Sequence, residues 1–227
     1  MDWKIVVSAP LVAYLVVANA AASLKLPENW GIDAHAPERS SYAMGIDPEI
    51  RFAGQTAITV RSLGAVRDTD YGAIDTYLDD FGYEGRRVRL SGMLKTKGVA
   101  TWAGIYLRGN SRGSRDWHLS DAQSLPRGSH SEPGDQDWHP VSVVVQIPAE
   151  PGGVMDMGLV VIGSGQAWLR GLKFEEVGDD VPVTTSPIGL DLAKVAEQDR
   201  LASAGRVASR VKRLPDNLEF REATAPR

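Results

Sequence analysis

The residues best placed to do chemistry form a row on one short segment. Within 99–108, Val99, Thr101, Ala103, Ile105 and Leu107 alternate with Trp102, Tyr106 and Arg108. Period-two alternation is the signature of a strand with one face in a core. The apolar set marks the core side, so the other side carries two aromatic rings and a guanidinium. Trp102 and Tyr106 stand about 13–14 Å apart at roughly 3.3 Å per residue. That spacing suits sugar units a few positions apart along a glycan, with Arg108 extending the row as a planar donor for hydroxyls or carboxylates. If a loop or helix covered the row, Trp102 would instead belong to a second packed layer, as many tryptophans do.

Other chemistry-bearing groups lie around a polar loop. The tripeptide Asp116-Trp117-His118 recurs as Asp137-Trp138-His139. Trp117 and His118, with Asp121, would stand on the rim of the aromatic row. An imidazole beside an indole and a carboxylate can hold a sugar or a metal. In a strand, however, Asp and His share a side and Trp points away, and a metal needs three or four converging donors. His118, His130 and His139 show no ligand spacing, and no metal centre is expected. The acidic run Asp75, Asp79, Asp80 and Glu84 reads as a solvated turn. Its other uses would be a loop holding a structural calcium ion or a glycosidase pair with carboxyls roughly 5–9.5 Å apart. Nothing in the sequence sets two carboxyls facing each other, and Gly163-Ser164-Gly165 reads as a hairpin turn and not as a nucleophile elbow. The absence of cysteine excludes disulfides, thiolate nucleophiles and zinc–thiolate sites. The expectation is a protein without catalysis and without a cofactor.

Short strands must position these groups. The alternating runs 41–47, 55–63, 86–97, 99–108, 116–122, 138–148, 154–163 and 166–177 are separated by turn-forming residues. Lys97-Gly98 reads as a hairpin turn and Gly163-Ser164-Gly165 as another, while 124–137 is a loop by composition. The fold class that follows is all-β, an antiparallel sandwich over 21–180, with a C-terminal α-helix. A linker over 181–189 leads to the helix at 190–214. There Leu190, Ala193, Leu201, Ala204, Ala208 and Val211 keep helical spacing, Asp191 lies near the start, and Arg210, Lys212 and Arg213 lie near the end. Pro215 stops it, and 215–227 is a tail holding one more short candidate strand, Asn217-Leu218-Glu219-Phe220.

The length of 227 residues accommodates one sizeable domain with appendages, and the net charge of −4 gives no electrostatic support for a nucleic-acid partner. At the N-terminus, Lys4 precedes the apolar run 5–17, and Ala18-Asn19-Ala20 follows. This reads as an export signal over 1–20. The run is shorter than the roughly 20 residues a spanning helix needs, so a periplasmic or secreted protein without a stable membrane span is expected.

The runs YEGRRVRLSGMLKTKGVATWAGIYLR, 117–128, DWHPVSVVVQIP and GLVVIGSGQAWLRGLKFEEVGDDVPVT, preceded by APERSSYAMGID and GQTAITVRS, resemble a bacterial module. It is the jelly-roll module of the galactose-binding-like, carbohydrate-binding-module type, found alone in exported proteins and beside AraC-type regulators and hydrolases. The resemblance spans roughly 30–184. It implies a jelly-roll sandwich and ligand binding on a concave face, and no shared catalytic set. This chain departs from it at Trp168, which Leu169, Arg170 and Gly171 follow in place of an acidic pair. It departs again at Leu119-Ser120-Asp121, which stands in place of an aromatic-Asp-Asn run. The Asn-Leu-Asp-Phe-Glu strand that opens such modules has no counterpart before Trp30, but Asn217-Leu218-Glu219-Phe220 is similar to it. The end segment would then fill that edge-strand place in its own sandwich, or in a neighbour's to make a homodimer; otherwise it is a vestige of a lost second domain.

Together these readings point to an exported, non-enzymatic module for a carbohydrate or similar polar ligand. Trp102, Tyr106 and Arg108 form its platform, with Trp117, His118 and Asp121 on the rim. The competing class is a structural or interaction protein of the cell envelope, in which the helix closes that face and the C-terminal segment mediates assembly.

Overall fold

A computed structural model describes residues 24–36, 41–52, 55–79, 82–111, 133–147, 153–184 and 212–222. Its strands, in chain order, are β1 (Gly31–His35), β2 (Tyr42–Phe52), β3 (Gln55–Ser62), β4 (Tyr71–Asp79), β5 (Arg87–Val99), β6 (Trp102–Ser111), β7 (Gly134–Gln146), β8 (Gly153–Ile162) and β9 (Gln166–Val177). They form an antiparallel sandwich of a four-stranded sheet, β1-β4-β8-β6, and a five-stranded sheet, β2-β3-β9-β5-β7.

The pleat accounts for the core. Val88, Leu90 and Leu94 of β5 point inward, and Ala103, Ile105 and Leu107 of β6 meet them from the opposite sheet, with Met155, Met157, Leu159 and Val161 of β8 alongside. Alternation thus identified the core side of β5 and β6 correctly. The connections differ from the sequence reading. Lys97-Gly98 lies within β5 and is no hairpin turn; the chain leaves β5 at Val99 and enters β6, in the other sheet, at Trp102. The Gly163–Gly165 turn likewise joins strands of different sheets, β8 and β9. β7 starts at Gly134, inside the stretch read as loop, because its first residues pair with the end of β5. β1 and β4 were not foreseen at all. The strand expected at 116–122 and the leader at 1–20 lie outside the described residues. So does the expected helix except for its last three residues, Lys212–Leu214, which are not helical. Among the described residues no helix is long and apolar enough to cross a membrane.

Two segments close the sandwich. The linker binds an open edge: Thr184 N donates to the Val144 carbonyl at 2.9 Å, and Val144 N donates to Thr184 Oγ1 at 2.9 Å. Pairing of this kind blunts an otherwise free edge strand, here β7. The end segment packs on its own sandwich, as a turn instead of the expected strand. Asn217 and Phe220 take left-handed backbone angles, φ 53° and 57°. Glu28 N donates to the Arg221 carbonyl at 3.0 Å, and Pro27 and Glu222 form a single antiparallel bridge.

The turn into β4 rests on one ion pair. Asp70 is fully buried. Its carboxylate accepts from Arg67 Nε at 2.9 Å, Arg67 Nη2 at 2.6 Å and Arg67 N at 2.9 Å. The hydrogen bonds from the Arg67 side chain, then its backbone, hold the Asp70 carboxyl below the usual carboxylate range. A lowered folded pKa stabilises the fold fully above the unfolded value, about 3.9, and this contribution is lost as pH falls through the folded value. Acid titration of unfolding should therefore show a loss below about pH 4 that is smaller in Asp70→Asn; equal acid sensitivity of both proteins would count against it.

Candidate functional site

The outward face of the four-stranded sheet gathers polar and aromatic groups in register. One row runs Gly31, Asp75, Gly158, Tyr106, and the next runs Asp33, Ala73, Val160, Gly104. A third runs His35, Tyr71, Ile162, Trp102, and on the other side Tyr77 and Arg108 both face Asp156 in register.

Two glycines shape this face. A Cβ on Gly158 would stand 2.1 Å from the Ile74 carbonyl oxygen and 3.0 Å from Asp75 Cβ. Only a residue without a side chain fits there. The Tyr106 hydroxyl passes over this position and donates to Asp75 Oδ2 at 2.8 Å. A Cβ on Gly104 would stand 2.6 Å from Trp102 Cζ2 and 2.8 Å from Cη2, so the indole lies down along its own strand over Gly104. At the β1 side, the Tyr71 hydroxyl donates to Asp33 Oδ2 at 3.1 Å and its ring stacks on His35, with centroids 6.0 Å apart and planes 16° from parallel. Ring faces, acceptor carboxylates and oriented hydroxyls together are the equipment of a polar-ligand site.

The sequence-derived residues divide into three groups. Trp102 and Tyr106 stand on the expected face, but the expectation that they form an open platform is corrected: they are 1% and 6% exposed. They pack with Ala73 and Val160, flanked by Tyr71 and Ile162. Arg108 occupies its expected strand position opposite Asp156, and its side chain lies outside the described set. Trp117, His118 and Asp121 lie outside the described residues.

The acidic run is also corrected. Asp75 is no part of a solvated turn; it sits in β4, 2% exposed, and Glu84 is buried too. Among the described residues no group of three or more His, Asp or Glu is placed to hold a metal ion. Asp33, Tyr71, Tyr77 and Asp156 stand on this face and were not singled out by sequence reasoning, which placed Asp75 in a turn. The signal was available, since Tyr71, Ala73, Asp75 and Tyr77 alternate with Gly72, Ile74, Thr76 and Leu78. Tyr77 is the open end of the face, 58% exposed.

The outward face of the five-stranded sheet carries a second group. Trp168 Nε1 donates to Asp47 Oδ2 at 2.7 Å, and the Arg170 guanidinium lies 4.4 Å above the Trp138 ring. Lys95 Nζ pairs with Asp137 at 3.0 Å, and its hydrogen bond holds the Asp137 carboxyl below the usual range. Of the repeated tripeptide, only this copy is described; its Trp138 lies within β7 and is half-buried.

No family model matches the chain. It is 29% identical over 163 residues to an uncharacterized HTH-type transcriptional regulator, YbfP, of Bacillus subtilis (strain 168). The match covers 70% of this chain and 52% of the relative, so the chain spans about half the length of that protein. Among solved structures it is similar to the CBM22-1 xylan-binding domain of Paenibacillus barcinonensis Xyn10C. There the TM-score is 0.46 and the identity 13%, over 68% of this chain and 90% of that one. It is also similar to TmCBM61 in complex with β-1,4-galactotriose, with a TM-score of 0.41 and 8% identity over 67% and 92% of the two chains. These two solved structures are carbohydrate-binding modules, and the curated relative is an HTH-type regulator.

Proposed function

We propose that this chain is an exported, non-catalytic module that binds a carbohydrate or similar polar ligand on the outward face of its four-stranded sheet. The observation that carries this reading is the Asp75–Tyr106 pair laid across Gly158, with Trp102, Tyr71 and Tyr77 around it. A carboxylate oriented among aromatic rings is equipment for recognising a polar ligand. Ligand hydroxyls would donate to Asp75, Asp156 and Asp33, and ring faces would supply apolar contact. The likeness to carbohydrate-binding modules and the match to a regulator are compatible with a sandwich that senses or captures a glycan as one part of a larger system.

Affinity electrophoresis of the full chain in gels containing xylan, mixed-linkage β-glucan or β-1,4-galactan tests the reading. Retardation by one of them is expected. Tyr77→Ala, which removes an exposed ring and leaves the core intact, should weaken it about tenfold. Free migration of the wild type in every gel, soluble glycan fragments included, would end the carbohydrate reading. A second reading, a structural or interaction protein of the cell envelope, draws on the burial of Trp102 and Tyr106. It expects no retardation and a concentration-dependent change in mass by sedimentation.

A further inference from the structure

The end segment and the corner it sits on are each closed by bonds of their own. In the segment, Phe220 N donates to the Asn217 carbonyl at 3.1 Å and Arg221 N to Asn217 Oδ1 at 2.7 Å, while Asn217 Nδ2 donates to the Arg221 carbonyl at 2.9 Å. On the corner, Trp30 N donates to the Pro27 carbonyl at 3.2 Å, and Thr76 Oγ1 of β4 donates to the Asn29 carbonyl at 2.9 Å. Among the described residues, the non-glycine residues with left-handed backbone angles all lie on these two pieces: Asn29 at φ 64°, Asn217 and Phe220. A phenylalanine holds that conformation only where its surroundings enforce it. Here it sets the ring edge to face against Trp30.

The two pieces are matched group by group. Trp30 Nε1 donates to the Asn217 carbonyl, Asn217 Nδ2 to the Glu28 carbonyl and Glu28 N to the Arg221 carbonyl, and Lys25 pairs with Glu222. Leu218 packs partly buried against the core, whereas the Glu219 side chain is 79% exposed. The contact thus reads Asn217 and Phe220 and leaves Glu219 unread. We propose that the Trp30 corner is a recognition site for an Asn-x-x-Phe turn, filled here by the chain's own end, and that a second copy of this chain supplies the same turn in exchange. Each piece keeps its shape through its own hydrogen bonds, so the turn fits the corner whichever copy carries it. A covalently attached turn outcompetes a free one up to about millimolar concentration. Exchange therefore shows where the resident turn is damaged or copies are crowded. The inference does not rest on the glycan reading.

The test uses full-length chains. A synthetic peptide of residues 212–224 is added to Phe220→Ala, whose own turn lacks the ring. Saturating peptide should raise the melting temperature of that variant by about 5 °C. A peptide with Glu219→Ala should do the same, and peptides with Asn217→Ala or Phe220→Ala should leave melting unmoved. Asn217→Ala, which keeps the ring and loses the side-chain bonds that close the turn, takes the place of the Phe220→Ala chain if the latter does not fold. No rise with the native peptide, or an equal rise with the Phe220→Ala peptide, overturns the site. The occupant is tested by mixing Phe220→Ala, which has the corner and no ring, with Trp30→Leu, which has the turn and a defective corner; Trp30→Phe serves should the leucine chain not fold. Sedimentation of the mixture should show a species of doubled mass that neither chain shows alone. Peptide rescue without that species overturns the second copy as occupant.

Discussion

Phe220→Ala is expected to lose about 3–5 kcal/mol of folding stability, the usual cost of deleting a buried aromatic side chain. The midpoint in urea should fall at unchanged slope, and melting should drop by about 6–20 °C for a domain of this size. Phe220 is 1% exposed although it stands seven residues before Arg227. Its ring meets Trp30 edge to face, with centroids 5.1 Å apart at 78°. The surrounding turn is hydrogen-bonded on several sides. Trp30 Nε1 donates to the Asn217 carbonyl at 3.2 Å, Arg221 N donates to Asn217 Oδ1 at 2.7 Å, and Asn217 Nδ2 donates to the Glu28 carbonyl at 2.9 Å. Lys25 and Glu222 pair at 2.7 Å, both exposed, and contribute little. Deleting residues 215–227 should cost at least as much as the point substitution. A loss under about 1 kcal/mol in both would show that the end segment is not part of the folded body.

Gly158→Ala is the second large effect. The added methyl would meet the Ile74 carbonyl at 2.1 Å and Asp75 Cα at 2.9 Å, both backbone. Neither yields without moving β4 against β8, so the cost should reach about 3 kcal/mol or more, at the upper end of overpacking. The displacement also acts on Asp75, so glycan retardation should disappear even under conditions where the variant is folded. Gly104→Ala is the comparison. There the three nearest atoms all belong to the Trp102 ring, a side chain and not backbone, and stability should fall less. Wild-type stability and retardation in Gly158→Ala would mean that β4 and β8 are not packed as described.

The fold was legible where its evidence is local. In 87–94 and 102–107 the alternation shows which side of each strand enters the core, and the structure agrees at Val88, Leu90, Leu94, Ala103, Ile105 and Leu107. The fate of Trp102 was legible only by half. Its side of the strand follows from the pleat, but its burial depends on neighbours such as Val160 and Ala73, which come from other strands. β4 was missed because Asp75 and Asp79 are poor strand formers by propensity. Tyr106 and Gly158 make Asp75 acceptable there, and they lie far along the chain.

By itself, then, the order of residues determined the antiparallel β-sandwich of the described residues and put Trp102 and Tyr106 on one side of their strand, because side-chain direction repeats every two residues in any strand. Tertiary structure alone decided that β5 and β6, adjacent in sequence, belong to different sheets, and that Asp75 lies beside Tyr106. It alone decided that the C-terminal turn seats Phe220 on Trp30. Backbone hydrogen bonds are the same for every residue type, so pairing partners are chosen by how whole faces pack, and no stretch of sequence carries that choice alone.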